Sequence, residues 1–160
     1  MLVSMDGHAG PPEPVIPGRY RILPFFGPTP GFYAASILLG DREVMGQIVD
    51  LDSGSLPLRI VYKPNPGTVR GTVESGEGAT VLLLSQLDAF VARGSKCGPG
   101  GKFELSGVAP GNYTAVAFDH IGLVPADPSI LRGIISSGVS VRVEEGLTVS
   151  IELRVTAWPQ

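Results

Sequence analysis

The residues able to make or break bonds are few, and their spacing gives them little to work with. Nucleophilic catalysis needs a nucleophile, a base and an acid that orients the base. The chain holds two histidines, His8 and His120, and one cysteine, Cys97. His8 sits among Gly7, Gly10, Pro11, Pro12 and Pro14, a composition expected of a flexible lead-in. His120 follows Asp119 just past a strand. Neighbours on an extended chain point to opposite faces, so this pair reads as a solvated loop. Asp50-Leu51-Asp52-Ser53-Gly54 spaces two carboxylates like the opening of a calcium loop, but the further ligands and the closing glutamate are missing, and a polar turn is expected. Glu144-Glu145 reads as a solvated turn before Gly146. A single cysteine permits neither an internal disulfide nor a cysteine-rich zinc site. The runs Ser75-Gly76-Glu77-Gly78 and Gly98-Pro99-Gly100-Gly101 lack the following lysine and helix of a phosphate cradle, so they are turns. No residue is assigned a catalytic, cofactor-binding or metal-ligating role, and no cofactor is expected.

Binding chemistry is only slightly richer. The lysines and arginines are scattered and the net charge is −3, which disfavours nucleic acid. No stretch approaches the ~20 apolar residues of a membrane-spanning helix. Phe25, Phe26, Phe32 and Tyr33 crowd one loop-rich stretch, and Trp158 stands near the end. Such rings can stack on sugars, although in small sandwiches they more often pack the core or its edge. Phe25, Phe26 and Trp158 are the residues to change in a first binding test. Asn112-Tyr113-Thr114 fits a glycosylation sequon, but Asn112 already has a place in a turn.

The elements that must position these residues are short strands between turns. The chain has 160 residues, with 22 glycines and 15 prolines in no collagen period, so these residues punctuate many short elements. Thr68 to Glu74 alternates, and Ala79 to Leu84 is nearly all apolar, as expected of a central strand covered on both sides. Phe103 to Leu105 and Tyr113 to Phe118 add two more strands. Val139 to Val143 and Val149 to Val155 alternate around Glu144-Glu145-Gly146 and are expected to form a hairpin. Gln86 to Arg93 and Pro128 to Ile135 suit a turn or two of helix, closed by Gly94 and Gly133. The fold class is therefore all-β, a sandwich or barrel.

An internal echo organises the chain. Pro17-Gly18-Arg19-Tyr20, Pro30-Gly31-Phe32-Tyr33 and Pro110-Gly111-Asn112-Tyr113 repeat one Pro-Gly-X-Tyr unit, each opening a strand. Proline presets φ and glycine supplies a positive φ, which predicts a type II turn. The outer copies are each followed, about forty residues on, by an alternating strand: Leu58 to Tyr62, and Val149 to Val155. Two related units are expected, joined near Lys63 to Gly67. Residues 1–14 form a flexible segment without the basic start and apolar core of a secretory signal. Residues 15–64 form a partial β-sandwich unit, 67–156 a complete one, and 157–160 a tail. The first unit lacks counterparts of Thr68 to Leu84. Either the chain is a piece of a longer protein or the units share one sheet, and the exposed edge of a half-sandwich favours the former.

The segment from Gly67 onward resembles the carboxypeptidase-regulatory-like family. The matching residues are Gly67-Thr68-Val69-Arg70-Gly71-Thr72-Val73, Gly78-Ala79-Thr80-Val81, and Gly101-Lys102-Phe103-Glu104-Leu105 running on through Val108-Ala109-Pro110-Gly111-Asn112-Tyr113. Gly100 stands where that family commonly has an acidic residue. The resemblance implies a transthyretin-like (prealbumin-like) Greek-key β-sandwich of seven strands. It also implies a non-catalytic accessory module, not an enzyme, in tandem on a larger exported protein, so an extracytoplasmic location (secreted, periplasmic or cell surface). Its partners would be neighbouring domains or other proteins.

The alternative is a carbohydrate-binding module of the related starch-binding-like fold. A transthyretin-like hydrolase is more remote, because that family ends in Tyr-Arg-Gly-Ser and uses several histidines, whereas this chain ends Thr156-Ala157-Trp158-Pro159-Gln160. The intramolecular isopeptide bond of related adhesin modules is not expected either. The opening strand Thr68 to Glu74 has no lysine, and the closing strand Thr148 to Thr156 has no asparagine.

Overall fold

The computed structural model describes residues 16–23, 31–52, 54, 56–86, 91–120 and 128–158. The chain divides into two compact units, Met1–Pro64 and Asn65–Gln160.

In the first unit, β1 (Gly18–Arg21) pairs antiparallel with β4 (Ile48–Leu51), and β2 (Phe32–Leu39) lies between β3 (Arg42–Glu43) and β5 (Leu58–Pro64). The β2–β3 hairpin turns at Gly40, whose φ of 62° suits glycine. Ile37, Val44, Val49 and Leu51 form the core, with Ile22, Leu39, Leu58 and Ile60 packed against it.

The second unit is a sandwich with a helix on one outer face. One sheet orders β8 (Val91–Lys96), β7 (Thr80–Ser85), β10 (Gly111–Phe118) and β11 (Val139–Val143). The other orders β12 (Thr148–Thr156), β6 (Gly67–Glu74) and β9 (Lys102–Val108). The sheets join where β10 and β12 run parallel at Ala117↔Val155 and Phe118↔Thr156. Alternate residues of both sheets meet in one core: Val69, Val73, Phe103, Leu105 and Leu153 from one, and Val81, Leu83, Tyr113, Ala115 and Val141 from the other. Each fully buried aliphatic or aromatic side chain contributes roughly 2 kcal/mol through removal from water.

The apolar run of β7 is explained by a second covering. Leu82 and Leu84 point away from the inter-sheet core, into a cluster with Val116, Phe118 and Ile134. Ile134 comes from α1 (Pro128–Ser137). The expected turn at Pro128 to Ile135 is thus a ten-residue helix that covers a sheet face, and Gly133 lies inside it. A helix this short is marginal alone. Packing on β7 and β10 outweighs the ~1 kcal/mol that an interior glycine costs.

Two further expectations are corrected. Val91–Lys96 is an edge strand paired with β7, so Gly94 sits within a strand and closes no helix. β11 and β12 do not form a hairpin: β11 pairs with β10, whereas β12 pairs in parallel with β6. The connection at Glu144 to Leu147 crosses between sheets, tied down by Gly146 N–H to the Asn65 carbonyl (2.8 Å) and Thr68 N–H to the Leu147 carbonyl (2.9 Å).

The Pro-Gly-X-Tyr turns are also built differently from expectation. Among the three glycines, only Gly31, with φ of 91°, has a positive φ. At the outer copies the tyrosine folds back and donates its hydroxyl to the carbonyl four residues earlier, Tyr20 to Ile16 at 2.6 Å and Tyr113 to Ala109 at 2.8 Å. A Cβ on Gly111 would sit 3.4 Å from the Tyr113 ring, and one on Gly18 3.5 Å from that of Tyr20, ordinary contacts that leave room for a methyl group but not for a branched side chain. Gly111→Ala is therefore expected to cost under ~1 kcal/mol, but Gly111→Val, whose methyls must displace the ring, ~1–3 kcal/mol. Equal losses in denaturant unfolding would count against this packing.

Candidate functional site

A cleft of about 860 Å³ opens at the seam of the second unit. It exists because β11 accompanies β10 only as far as Ala115↔Val139, and β12 joins β10 only at Ala117. Ala115 and Ala117 lie within it, with Gly138 and Val139 on one side and Thr72, Glu152 and Arg154 on the other. A hollow of about 360 Å³ shares Glu74 and Arg154 and adds Glu77 and Asp119. Arg154 Nε lies 2.8 Å from Glu74 Oε2 with both side chains mostly in solvent, so the pair contributes little to stability.

The titratable candidates do not converge into a reaction centre. The chain bends at Asp119, so the two neighbours touch instead of facing apart. The Asp119 carboxylate accepts the His120 N–H at 2.7 Å and lies 2.9 Å from its Nδ1. That backbone bond, then the side-chain one, holds the Asp119 carboxyl below its usual range. Both side chains are exposed, and among the described residues His120 bonds only Asp119. Asp52 Oδ1 accepts the Gly54 N–H at 2.8 Å, closing a local turn. Among the described residues no three His, Cys, Asp or Glu side chains could share a metal. Burial pushes the Cys97 thiol up, away from the reactive thiolate. His8, Phe25, Phe26 and Ser53 lie outside the described residues.

Of the aromatic candidates that are described, Trp158 serves packing. Trp158 stands edge-on to Phe118, with ring centroids 4.8 Å apart at 76°, within the cluster under α1. Tyr33 is buried, Phe32 is half-exposed, and no aromatic among the described residues lines the cleft.

Arg93, which the sequence did not single out, ties together the turn before the second tyrosine. From β8 its Nε donates to the Ser106 carbonyl at 3.1 Å and its Nη2 to the Gly107 carbonyl at 2.6 Å. Nothing distinguishes this arginine locally, since its partners lie thirteen and fourteen residues away. Burial lowers the Arg93 pKa, against the pull of nearby Tyr113. Tyr113 itself is pushed up to about 12 by burial, with Arg93 pulling the other way. A raised folded-state value means stability present below pH ~10 and lost as pH climbs through about 12. Urea unfolding across that window is expected to show a loss on the order of 2 kcal/mol. Tyr113→Phe should flatten that loss and lower stability at pH 7 by about 1 kcal/mol through the missing hydrogen bond. An unflattened profile would separate the alkaline loss from Tyr113.

No protein-family model and no curated protein matches the sequence. Among solved structures, BcpA, the major pilin subunit of Bacillus cereus, is 15% identical over 67% of this chain and 33% of its own, with a TM-score of 0.39. GBS52, the minor pilin of Streptococcus agalactiae, is 12% identical over 71% and 60%, at 0.34. The Bacillus anthracis TIE protein is 16% identical over 87% and 34%, at 0.37. This chain thus spans a third of the B. cereus pilin and less than two thirds of each. At superpositions this loose, nothing of those proteins' roles transfers to it.

Proposed function

We propose that the chain is a non-catalytic accessory module of a larger exported protein, a spacer or interaction element built from two related β-units. The observation that carries the reading is the duplicated tyrosine corner: the two outer Pro-Gly-X-Tyr turns make the same hydroxyl-to-carbonyl bond four residues back. A chain that repeats a scaffold device while leaving its titratable groups dispersed is organised for shape and contact. The resemblance from Gly67 onward to carboxypeptidase-regulatory-like domains, with their transthyretin-like Greek-key sandwich, points the same way, and so does the extracytoplasmic location it implies. Carbohydrate binding is the second reading, and the absence of aromatics from the cleft lining gives it no platform among the described residues.

The test is a glycan-array screen of the intact chain beside a panel of ester, amide and glycoside substrates. The module reading expects neither hits nor turnover. A specific glycan hit lost on Phe25→Ala, Phe26→Ala or Trp158→Ala would move the chain to the carbohydrate-binding class, and turnover would make it an enzyme.

A further inference from the structure

We propose that the outer edge of β12 takes an extended segment of a partner protein, apolar on its inward face and basic on its outward one. The inference rests on the module reading and names the kind of contact that such a module makes.

The two flanks of the second sandwich are finished differently. Between β8 and β9, Arg93 donates across the gap to the carbonyls of Ser106 and Gly107. Between β11 and β12 lies the cleft instead, with Gly138 and Val139 on one lip and Glu152 and Arg154 on the other. The inner-face residues of this flank stand partly in solvent. Val139 shares a face with the buried Val141 and Val143, yet it is 42% exposed. Val149 and Ile151 pack on the core but are only half-buried, whereas Val69 and Val73 of neighbouring β6 are fully buried. Gly138 before β11, the connection at Glu144 to Leu147 and Ala157 after β12 all belong to the described residues.

The edge presents defined backbone groups. The Leu147 carbonyl accepts the Thr68 N–H on the β6 side at 2.9 Å, and β12 runs parallel to β6. Alternation then turns the backbone groups of Val149, Ile151 and Leu153 toward β6 and those of Ser150 and Glu152 outward. β10 reaches β12 only farther along, at Val155 and Thr156. Among the described residues, no strand meets Ser150 or Glu152 from outside.

The side chains choose the occupant. Inward residues of an added strand would meet Val139, Val149 and Ile151, which calls for apolar side chains. On the outward row Arg154 is paired with Glu74, and Arg70 Nε lies 3.4 Å from Ser150 Oγ. Glu152 faces Thr72 of β6, so its carboxylate has no cation as cross-strand neighbour there. A lysine or arginine opposite it on the incoming strand supplies one. Edge-to-edge pairing with a second copy does not, because the free stretch of β12 offers Thr148, Ser150 and Glu152, none of them basic.

The test uses the whole chain, amide exchange read by NMR, and a short peptide alternating valine with lysine, its glutamate-for-lysine version serving as control. The Ser150 and Glu152 amides should exchange readily in the free chain and slow at least roughly tenfold with saturating lysine peptide. The glutamate peptide should bind roughly fivefold more weakly or worse, and Glu152→Lys should invert that order. Absence of binding at about 1 mM lysine peptide would leave the edge without the proposed occupant. Protection of both amides in the free chain at every concentration would mean that the chain covers its own edge. Protection growing with protein concentration would assign the edge to a second copy. Binding without protection of these amides, or without charge preference, would place the contact elsewhere. Any of these four results overturns the docking site and leaves the module reading standing, whereas substrate turnover would sink the module reading and leave the edge untouched.

Discussion

Gly71→Val is expected to unfold the second unit or come close to it. Gly71 sits mid-way along β6, opposite Ile151 of β12 and Phe103 of β9. Its φ is not positive, so the constraint is space and not backbone conformation. A Cβ there would fall onto the Ile151 carbonyl oxygen, with the Phe103 ring 3.2 Å away. That oxygen belongs to backbone on a paired strand and cannot swing aside, so β6 and β12 must part or β6 must shift. The shift is costly because Val69 and Val73 are both in the core, and a slip of one residue would turn them to solvent. A loss of more than ~4 kcal/mol is expected, against the roughly 5–15 kcal/mol that holds a domain together. Arg70→Val, one residue before on the exposed face, adds β-branching without crowding, should stay within ~0.5 kcal/mol and so separates the two effects. Thermal unfolding of both variants decides it: a melting temperature for Gly71→Val close to that of the parent would mean that the β6–β12 register is not as described.

The second large effect is expected of Phe118→Ala. Phe118 is 1% exposed and fills the space between β7, β10, α1 and Trp158. Truncation removes ~3–5 kcal/mol, counting lost transfer energy and the cavity left behind. Because Trp158 is the sole tryptophan, its fluorescence reports the site directly. Emission should shift to longer wavelength as the edge-on contact is lost, while Phe118→Leu should keep most of the stability. Unchanged emission with a loss below ~1 kcal/mol would show that α1 and Trp158 do not close over this face. The two variants also probe different layers, since Gly71 lies at the seam of two strands within one sheet and Phe118 lies on the outer side of the other.

The order of effects bears on function. The strongest constraints fall on packing and on strand approach, at Gly71, Gly101 and Phe118. A Cβ at Gly101, where φ is 70°, would meet the Val73 carbonyl oxygen. Two charged pairs, by contrast, sit on the surface, Asp119 with His120 and Glu74 with Arg154. A chain constrained this way fits the module reading proposed above.

Much of this was determined by the sequence alone. Alternation in Thr68 to Glu74 and Val149 to Val155 marked which residues face inward, because side chains alternate whatever the strand pairs with. The continuous apolar run at Val81 to Leu84 announced a strand covered on both faces, since neither side could be left to water. The repeated Pro-Gly-X-Tyr unit announced related turns, because the bond from a tyrosine hydroxyl to a carbonyl four residues back is local. Tertiary structure decided the rest. β11 and β12 each carry one apolar face, but alternation cannot say to which sheet a strand belongs. The crossing was settled by the bonds of Gly146 to Asn65 and of Leu147 to Thr68, some eighty residues apart in sequence. Arg93, Gly133 and Trp158 took their roles from surfaces assembled by distant segments. The likeness of β1 with β4 to β10 with β11 became visible only from their shared register, because which strand a strand pairs with is a property of neighbours and leaves no mark on its own residues.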